Sequence, residues 1–196
     1  FFPDAQINFA ENLLRKTGPG DALVFRGEDK VSYRWSWDEL HAFVSRAQQA
    51  LAAAGIGKGD RVAAMLPNLP ESVGLMLAVT SLGAIWSSCS PDFGERGVLD
   101  RFGQIEASIF ISVDGYWYNG KSIDLTSRLA AIAGQLPTAK KVVIVPYLGT
   151  AEAVAAAVPR AVTLDGFLKG FSAKPVTFTR VPFNHPVYIL YSSGTT

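Results

Sequence analysis

Hydroxyl side chains surround one glycine at the end of the sequence, in Tyr191-Ser192-Ser193-Gly194-Thr195-Thr196. The apolar run before them, residues 187–190, predicts a buried strand that ends at this cluster. Open α/β sheets bind phosphate-bearing ligands at the carboxyl ends of their strands. Gly194 permits a tight turn and a close backbone approach, and the hydroxyls and amides could donate to phosphate oxygens. Ser192, Ser193, Gly194, Thr195 and Thr196 are therefore candidate phosphate-binding residues.

The same cluster is also compatible with a solvated turn, because serine, glycine and threonine are common turn residues. A Walker phosphate loop is the competing phosphate motif, and it requires Gly-x-x-x-x-Gly-Lys-Ser/Thr. No second glycine or lysine follows Gly194 in this sequence. The Walker motif is therefore not supported, and a Walker-type phosphotransferase is not predicted.

Two other segments place polar groups after a predicted strand. Residues 83–94 form a strand–turn–helix pattern whose helix N-terminus could receive an anion, although Pro91 and Asp92 favour an ordinary connection. Residues 114–121 form an aromatic-rich loop that ends at Lys121. That loop could stack a purine and hold a phosphate, and a packed surface loop would have the same composition.

The remaining reactive residue types do not form a recognisable constellation. Cys89 has no catalytic base near it in sequence, so it is expected to be a small buried apolar residue. His41 and His185 are isolated from carboxylates and cysteines, so no metal site is predicted. No pair of carboxylates is spaced for acid–base catalysis.

Composition restricts the class of protein. The chain has 196 residues, 48% of them hydrophobic, which is enough for one domain or two small ones. The net charge is +1 with interspersed signs, so no nucleic acid partner is predicted. No apolar run is long enough to cross a membrane. The single cysteine fits a reducing compartment, and a cytoplasmic location is expected.

Continuously apolar strands alternate with helical patterns along most of the chain, which indicates an α/β fold with a mainly parallel sheet and helices on both faces. A polar turn at residues 26–30 predicts a hairpin before a helix that starts with a capping box, Ser36 and Glu39. The predicted strands are residues 22–25, 31–35, 61–66, 85–88, 109–113 and 142–145. The predicted helices are residues 7–14, 37–54, 71–82, 96–105 and 123–135. The region from 147 to 180 is less regular, and residues 152–157 could be a helix or a loop.

An ordered set of short motifs resembles the adenylate-forming enzymes, which include acyl-CoA synthetases, luciferases and peptide-synthetase adenylation domains. The set spans almost the whole chain and comprises Tyr33 to Leu40, Gly59-Asp60-Arg61-Val62, Leu66-Pro67-Asn68, Leu82-Gly83-Ala84 and the terminal hydroxyl–glycine cluster. Each motif is common by itself. The order is what makes the resemblance specific.

Two longer segments are similar to the acetoacetate-activating branch of the acyl-CoA synthetases. They are residues 2–14, and Gly83-Ala84-Ile85-Trp86-Ser87-Ser88-Cys89-Ser90-Pro91-Asp92-Phe93-Gly94. The resemblance implies that a carboxylate, acetoacetate, reacts with Mg²⁺–ATP to form an acyl-adenylate, and that CoA then displaces AMP. It implies that Ser192 to Thr196 bind the β- and γ-phosphates, and that Lys121, with Arg101 as a weaker candidate, lies near the CoA nucleotide. Asp92 replaces a glycine of acetyl-CoA synthetases that CoA approaches.

The resemblance also implies that residues 1–196 are the first part of a larger N-terminal adenylation domain. The catalytic residues, the acyl pocket and a mobile C-terminal domain are expected after Thr196. We therefore expect these 196 residues alone to be inactive, and to be unstable or self-associating. Another short-chain acyl-CoA synthetase and a non-catalytic nucleotide-binding module remain alternatives to an acetoacetate–CoA ligase.

Overall fold

The computed structural model describes residues 2–191, which divide into two compact units. The first unit comprises residues 2–60, 68–85 and 168–187, and the second comprises residues 61–67, 86–167 and 188–191. In chain order the elements are β1 Gln6–Ile7, α1 Phe9–Leu13, β2 Asp21–Gly27, β3 Val31–Ser36, α2 Trp37–Ala53, β4 Arg61–Met65, α3 Pro70–Ser81, β5 Ile85–Cys89, α4 Glu95–Phe102, β6 Ile109–Val113, β7 Gly115–Tyr118, β8 Lys121–Asp124, α5 Thr126–Gln135, β9 Lys141–Val145, α6 Ala151–Ala157, β10 Ala161–Thr163, α7 Leu164–Leu168 and β11 Val181–Pro182.

The predicted hairpin and capped helix belong to the first unit. Strands β2 and β3 pair antiparallel, with Leu23 opposite Trp35. The Ser36 hydroxyl accepts a hydrogen bond from the Glu39 amide at 3.2 Å, and the Glu39 carboxylate accepts one from the Ser36 amide at 2.7 Å. These bonds pair amides that have no acceptor within the first turn of α2, and they lower the pKa of Glu39. The predicted hairpin and capping box are confirmed.

Two buried amide side chains hold residues 177–179 against helices of the first unit. Gln48 donates to the Ser81 hydroxyl and to the Thr177 carbonyl, and its Oε1 accepts from the Thr177 amide at 3.1 Å. Asn8 donates to the carbonyls of Ser81 and Thr179 at 3.1 and 2.8 Å. Both side chains are at least 95% buried, so their polar atoms depend on these partners. They give this extended segment a fixed position without strand pairing.

Glu71 is a partly buried carboxylate of α3 that accepts a hydrogen bond from the Tyr33 hydroxyl at 2.5 Å. Burial raises its pKa above the ordinary value of 4.5, although the Tyr33 hydrogen bond acts in the opposite direction. A raised pKa in the folded state means that ionisation opposes folding. The contribution of Glu71 to stability is therefore greatest below pH 4.5 and is lost as the pH rises through the raised pKa.

We expect Glu71→Gln to stabilise the fold at neutral pH and to change it little in acid. The amide keeps an acceptor for Tyr33 and carries no charge to desolvate. The measurement is the opening free energy of α3, from hydrogen exchange in the full-length protein, as a function of pH. Tyr33→Phe should make the wild-type decline with pH larger, because it removes the bond that favours the charged carboxylate. Equal pH dependence in wild type and Glu71→Gln would contradict this account.

The second unit contains a sheet with the strand order β10–β9–β6–β4–β5. Strands β10 and β9, β9 and β6, and β6 and β4 pair in parallel, with Ala64 opposite Ile111 and Ile111 opposite Val143. Every residue of β6 is buried, and β4 and β9 are buried after their first residue. Burial of both faces explains why these strands are continuously apolar rather than alternating. The predicted α/β class with a parallel sheet is confirmed.

Three sequence predictions about the second unit are wrong in part. Residues 115–124 form the antiparallel hairpin β7–β8 instead of a loop that leads into a helix, so α5 begins at Thr126 rather than at residue 123. Helix α4 is Glu95–Phe102 and does not reach Ile105. Residues 187–190 form only one bridge, between Tyr188 and Trp86, and Leu190 is 78% exposed. These residues lie beside β5 at the edge of the sheet, where the described chain supplies a neighbour on one side only.

Residues 152–157, left open between helix and loop, belong to helix α6. Within residues 2–191, no helix combines the length and the apolar character needed to cross a membrane.

Candidate functional site

The candidate phosphate-binding residues Ser192, Ser193, Gly194, Thr195 and Thr196 lie outside the described residues. Their assignment stays a prediction. Tyr191, to which Ser192 is bonded, is described, and so are the residues that anchor it. The geometry of this anchor is therefore what the structure adds to the sequence-based hypothesis.

Residues 188–191 are attached to strand β5 by main-chain contacts. The Ile189 amide donates to the Trp86 carbonyl at 2.9 Å, and the Ser87 hydroxyl donates to the Ile189 carbonyl at 2.9 Å. Ser87 is buried, so its hydroxyl is shielded from competing water. The chain that leads to Ser192 is thus held beside Trp86 and Ser87 of β5 and runs parallel to this strand, toward the carboxyl end at which α/β sheets bind ligands.

Arg101 of α4 lies against two aromatic rings at the same place. Its guanidinium carbon is 4.3 Å from the centroid of the Phe93 ring and 5.6 Å from that of Tyr191. Its Nη1 donates to the Gly97 carbonyl at 2.7 Å, which turns the side chain back along its own helix. The Tyr191 hydroxyl donates to the Arg101 carbonyl at 2.6 Å. The structure therefore brings Arg101 together with the residue that precedes the candidate phosphate loop.

The charge of Arg101 is not neutralised locally. No carboxylate between residues 2 and 191 forms a salt bridge with it, whereas Arg96 of the same helix pairs with Asp100 at 3.8 Å. The Arg101 charge favours the ionised forms of Cys89 and Tyr191 and so acts to lower both pKa values. A positive potential at this position is suited to an anionic ligand.

Cys89 ends strand β5 and is half-buried. Burial raises the pKa of its thiol to about 12, an effect much larger than the opposing influence of Arg101. The thiol is therefore protonated at neutral pH and is a poor nucleophile. The sequence predicts a buried Cys89, and the structure shows it only half-buried.

The turn between β5 and α4 is fixed from helix α5. Arg128 donates through Nη1 to the carbonyls of Pro91 and Phe93, at 3.1 and 3.3 Å. Asp92, between them, is exposed. Sequence reasoning missed Arg128, because nothing local to α5 indicates that it reaches a turn 35 residues or more earlier in the chain.

Lys121, the candidate CoA-binding residue, is exposed at the start of strand β8. Asn119 and Gly120 before it have φ angles of 50° and 73°, the left-handed conformations of a two-residue hairpin turn. The Asn-Gly pair is the strongest short signal for such a hairpin, and the sequence analysis passed over it. A cavity of about 440 Å³ beside this hairpin is lined by Trp117, Ser122, Asp124, Thr126, Leu148, Thr150, Ala153 and Val154, and not by Lys121. The role of Lys121 stays a prediction.

Asp114 is a second residue whose role the sequence did not reveal. It follows strand β6, is fully buried, and accepts hydrogen bonds from the amides of Tyr147, Leu148 and Thr150 at 2.8, 2.8 and 2.7 Å. The sequence analysis placed Asp114 at the start of an aromatic-rich loop after a predicted strand. The carboxylate instead organises the chain between β9 and α6 and stabilises the wall of the cavity beside β7–β8.

The two histidines bind main-chain atoms in the first unit. His41 Nε2 is 2.9 Å from the Lys16 carbonyl, and His185 Nε2 is 2.7 Å from the Gly83 carbonyl. Across residues 2–191, no three histidine, cysteine or acidic side chains are grouped in a way that could hold a metal ion. The Arg101 charge and the β5–α4 turn are therefore the described features that lie next to the anchored approach to Ser192.

Comparison with known proteins places these features in context. The family model described as AMP-binding enzyme matches residues 11–196. The chain is 66% identical over 198 residues to the acetoacetyl-coenzyme A synthetase of Rhizobium meliloti (strain 1021), and 42% identical over 202 residues to the acetoacetyl-CoA synthetase of Gallus gallus. Each match covers the whole of this chain, which spans about 30% of the length of these relatives.

A solved structure gives the same result for the fold. The acetoacetyl-CoA synthetase from Streptomyces lividans superposes with a TM-score of 0.91 at 40% sequence identity. The match covers 100% of this chain and 30% of that protein. The architecture described above is therefore similar to one part of a larger solved enzyme.

Proposed function

The chain belongs to the AMP-binding enzyme family, and from this premise we propose that it is part of an acetoacetate–CoA ligase, an acid–thiol ligase. The observation that carries the proposal is the identity along the entire chain with relatives named acetoacetyl-CoA synthetase. The fold supports the same assignment, because the α/β unit anchors residues 188–191 at the sheet edge that leads to Ser192.

The proposed reaction has two steps. A carboxylate oxygen of acetoacetate attacks the α-phosphorus of ATP, which binds as its Mg²⁺ complex, and the bond to the bridging oxygen breaks to release pyrophosphate. The sulfur of CoA then attacks the acyl carbon, and the bond to AMP breaks to give acetoacetyl-CoA, AMP and a proton. Both steps depend on charge neutralisation and alignment more than on a covalent enzyme residue.

Residue roles follow from the motif positions. Ser192, Ser193, Gly194, Thr195 and Thr196 are proposed to bind the β- and γ-phosphates through hydroxyl and amide donors. Lys121 is proposed to contact the CoA nucleotide, a contact for which the resemblance gives Arg101 as a weaker candidate. Residues 1–196 are proposed to form the first part of an N-terminal adenylation domain, with the catalytic residues in sequence that follows Thr196.

The proposal includes a cytoplasmic location and no nucleic acid partner. The single half-buried cysteine supports the first, because it needs no oxidising compartment. The near-neutral charge, with 18 basic and 17 acidic residues interspersed, supports the second.

Pyrophosphate exchange into ATP tests the first step without CoA. The full-length protein is assayed with acetoacetate, acetate, propionate or no acid. Exchange that depends on acid and is fastest with acetoacetate is the expected result. Exchange that favours another acid would keep an acyl-CoA synthetase and overturn the acetoacetate assignment. If ATP binds but no acid supports exchange, the ligase assignment is overturned in favour of a nucleotide-binding module.

A further inference from the structure

We propose that Arg101 is a positioning residue that orients Tyr191, the residue directly before the candidate phosphate-binding residues, and so acts in the ATP half of the proposed reaction. The inference rests on the proposed function, since it assigns Arg101 to the ATP half of that reaction. It differs from the resemblance, which makes Arg101 a weak candidate for the CoA nucleotide.

The guanidinium of Arg101 contacts aromatic rings from two different segments of the chain. Its guanidinium lies 4.3 Å from the Phe93 ring centroid and 5.6 Å from the Tyr191 ring centroid, both within the range of about 6 Å for cation–π attraction. A guanidinium is planar and weakly hydrated, so it is better suited than an ammonium group to contact two rings. The contact links the turn after β5 to the segment that approaches Ser192.

The main chain of Arg101 makes the second link. Its carbonyl, in the last turn of α4, accepts the Tyr191 hydroxyl at 2.6 Å. Burial raises the pKa of Tyr191, so this hydroxyl remains protonated and donates through neutral pH. Side chain and main chain of one residue therefore fix both the ring and the hydroxyl of Tyr191.

The bonds that Trp86 and Ser87 form with Ile189 hold the main chain and do not orient the Tyr191 ring. The backbone of residues 188–189 is held by Trp86 and Ser87, but these main-chain bonds end at Ile189, three positions before Ser192. Leu190 is 78% exposed and adds little packing. Tyr191 is the last described residue before the hydroxyl–glycine residues, and its side chain contacts Arg101 and forms a hydrogen bond with Ser87.

The guanidinium of Arg101 already binds groups of the protein. Nη1 donates to the Gly97 carbonyl at 2.7 Å, and a side chain at Gly97 would lie 3.2 Å from Phe93 and 3.5 Å from Arg101. The close packing around position 97 leaves the Arg101 side chain and the Phe93 ring little freedom to move. A residue held this way is suited to positioning a neighbour, whereas a nucleotide contact would require part of this arrangement to open.

The test separates the ATP and CoA half-reactions in the full-length protein. Arg101→Met keeps the length of the side chain and removes the planar charge. We expect it to raise the KM for ATP in pyrophosphate exchange about tenfold, the scale of one lost ring-stacked cation, and to leave the KM for CoA unchanged at saturating ATP. Arg101→Lys should restore part of the loss. Tyr191→Phe keeps the ring and loses the hydroxyl with its hydrogen bonds to the Arg101 carbonyl and to Ser87, and it should raise the same KM by less.

Arg96→Met is the matched control, because Arg96 lies on the same helix with a 95% exposed side chain and pairs only with Asp100 among the described salt bridges. It should leave both constants unchanged. A raised KM for CoA with an unchanged KM for ATP would overturn the proposal and make Arg101 a CoA ligand. Unchanged values for both substrates would overturn it as well.

Two further readouts keep the inference testable. If Arg101→Met does not fold, the KM for ATP is measured in Tyr191→Phe instead. An unchanged KM for ATP in that variant overturns the proposal. If the wild type supports no exchange with any acid, the proposed function fails, and ATP binding is measured directly by equilibrium dialysis. Weaker binding by Arg101→Met would still support the positioning role, and equal binding or no binding by either protein would overturn it.

Discussion

Replacing Thr195 and Thr196 together with valine is expected to lower acid-dependent ATP–pyrophosphate exchange by the full-length protein about 100-fold, the loss typical of removing a preorganised donor. Valine keeps the shape of threonine and removes the hydroxyl. In the proposed site these hydroxyls donate to the β- and γ-phosphates, whose charge changes when pyrophosphate leaves. The measurement is the exchange rate with acetoacetate at saturating ATP.

Thr138→Val provides the control for this pair, because Thr138 is exposed between α5 and β9. That variant should exchange at the wild-type rate. Wild-type exchange by the Thr195→Val, Thr196→Val protein would remove these hydroxyls from the ATP site. A normal exchange rate together with a raised KM for CoA would show that these hydroxyls act in the second half-reaction instead.

The second large effect is expected from Asp114→Ala, which should destabilise the chain around residues 146–150 by about 3 kcal/mol. The carboxylate is fully buried and accepts from three amides, with the Thr150 hydroxyl as a fourth donor at 3.3 Å. Alanine would leave these donors without an acceptor and without water to replace it. Native-state hydrogen exchange of the Tyr147, Leu148 and Thr150 amides measures the change locally.

Asp124→Ala is a matched control with the same chemistry on the surface. Asp124 accepts from the Thr126 amide at 3.0 Å and from the Thr126 hydroxyl at 2.7 Å, but it is exposed. Water can replace its hydrogen bonds, so we expect a loss of less than about 1 kcal/mol. Equal losses for the two aspartates would show that burial does not determine the importance of Asp114.

Much of the fold could be predicted from the sequence because the relevant information is local. Residues 109–113 are continuously apolar, and they form a strand that is buried on both faces. Ser36 and Glu39 predicted the start of α2, since a capping box involves only four consecutive positions. The order of motifs from Tyr33 to Gly194 also predicted the family, and the family model confirms it over residues 11–196.

Errors occurred where a local pattern was compatible with two structures. Residues 123–124 fit the period of the following helix, but pairing of Gly115 with Asp124 makes them a strand. Residues 187–190 are apolar enough for a buried strand, yet they form one bridge at the sheet edge. In both cases the structure depends on which neighbour is available, and hydrophobicity along the chain does not specify that.

The sequence by itself determined the α/β class, the positions of most helices and strands, and the family, and it predicted a phosphate-binding segment that stays a prediction. Only the tertiary structure decided which groups Asp114, Arg101 and Glu71 contact. Arg101 and Tyr191 are separated by 90 positions, and Asp114 binds amides 33 to 36 residues away. Periodicity and caps record interactions within a few residues, whereas burial, desolvation and long-range hydrogen bonds exist only after the strands have paired.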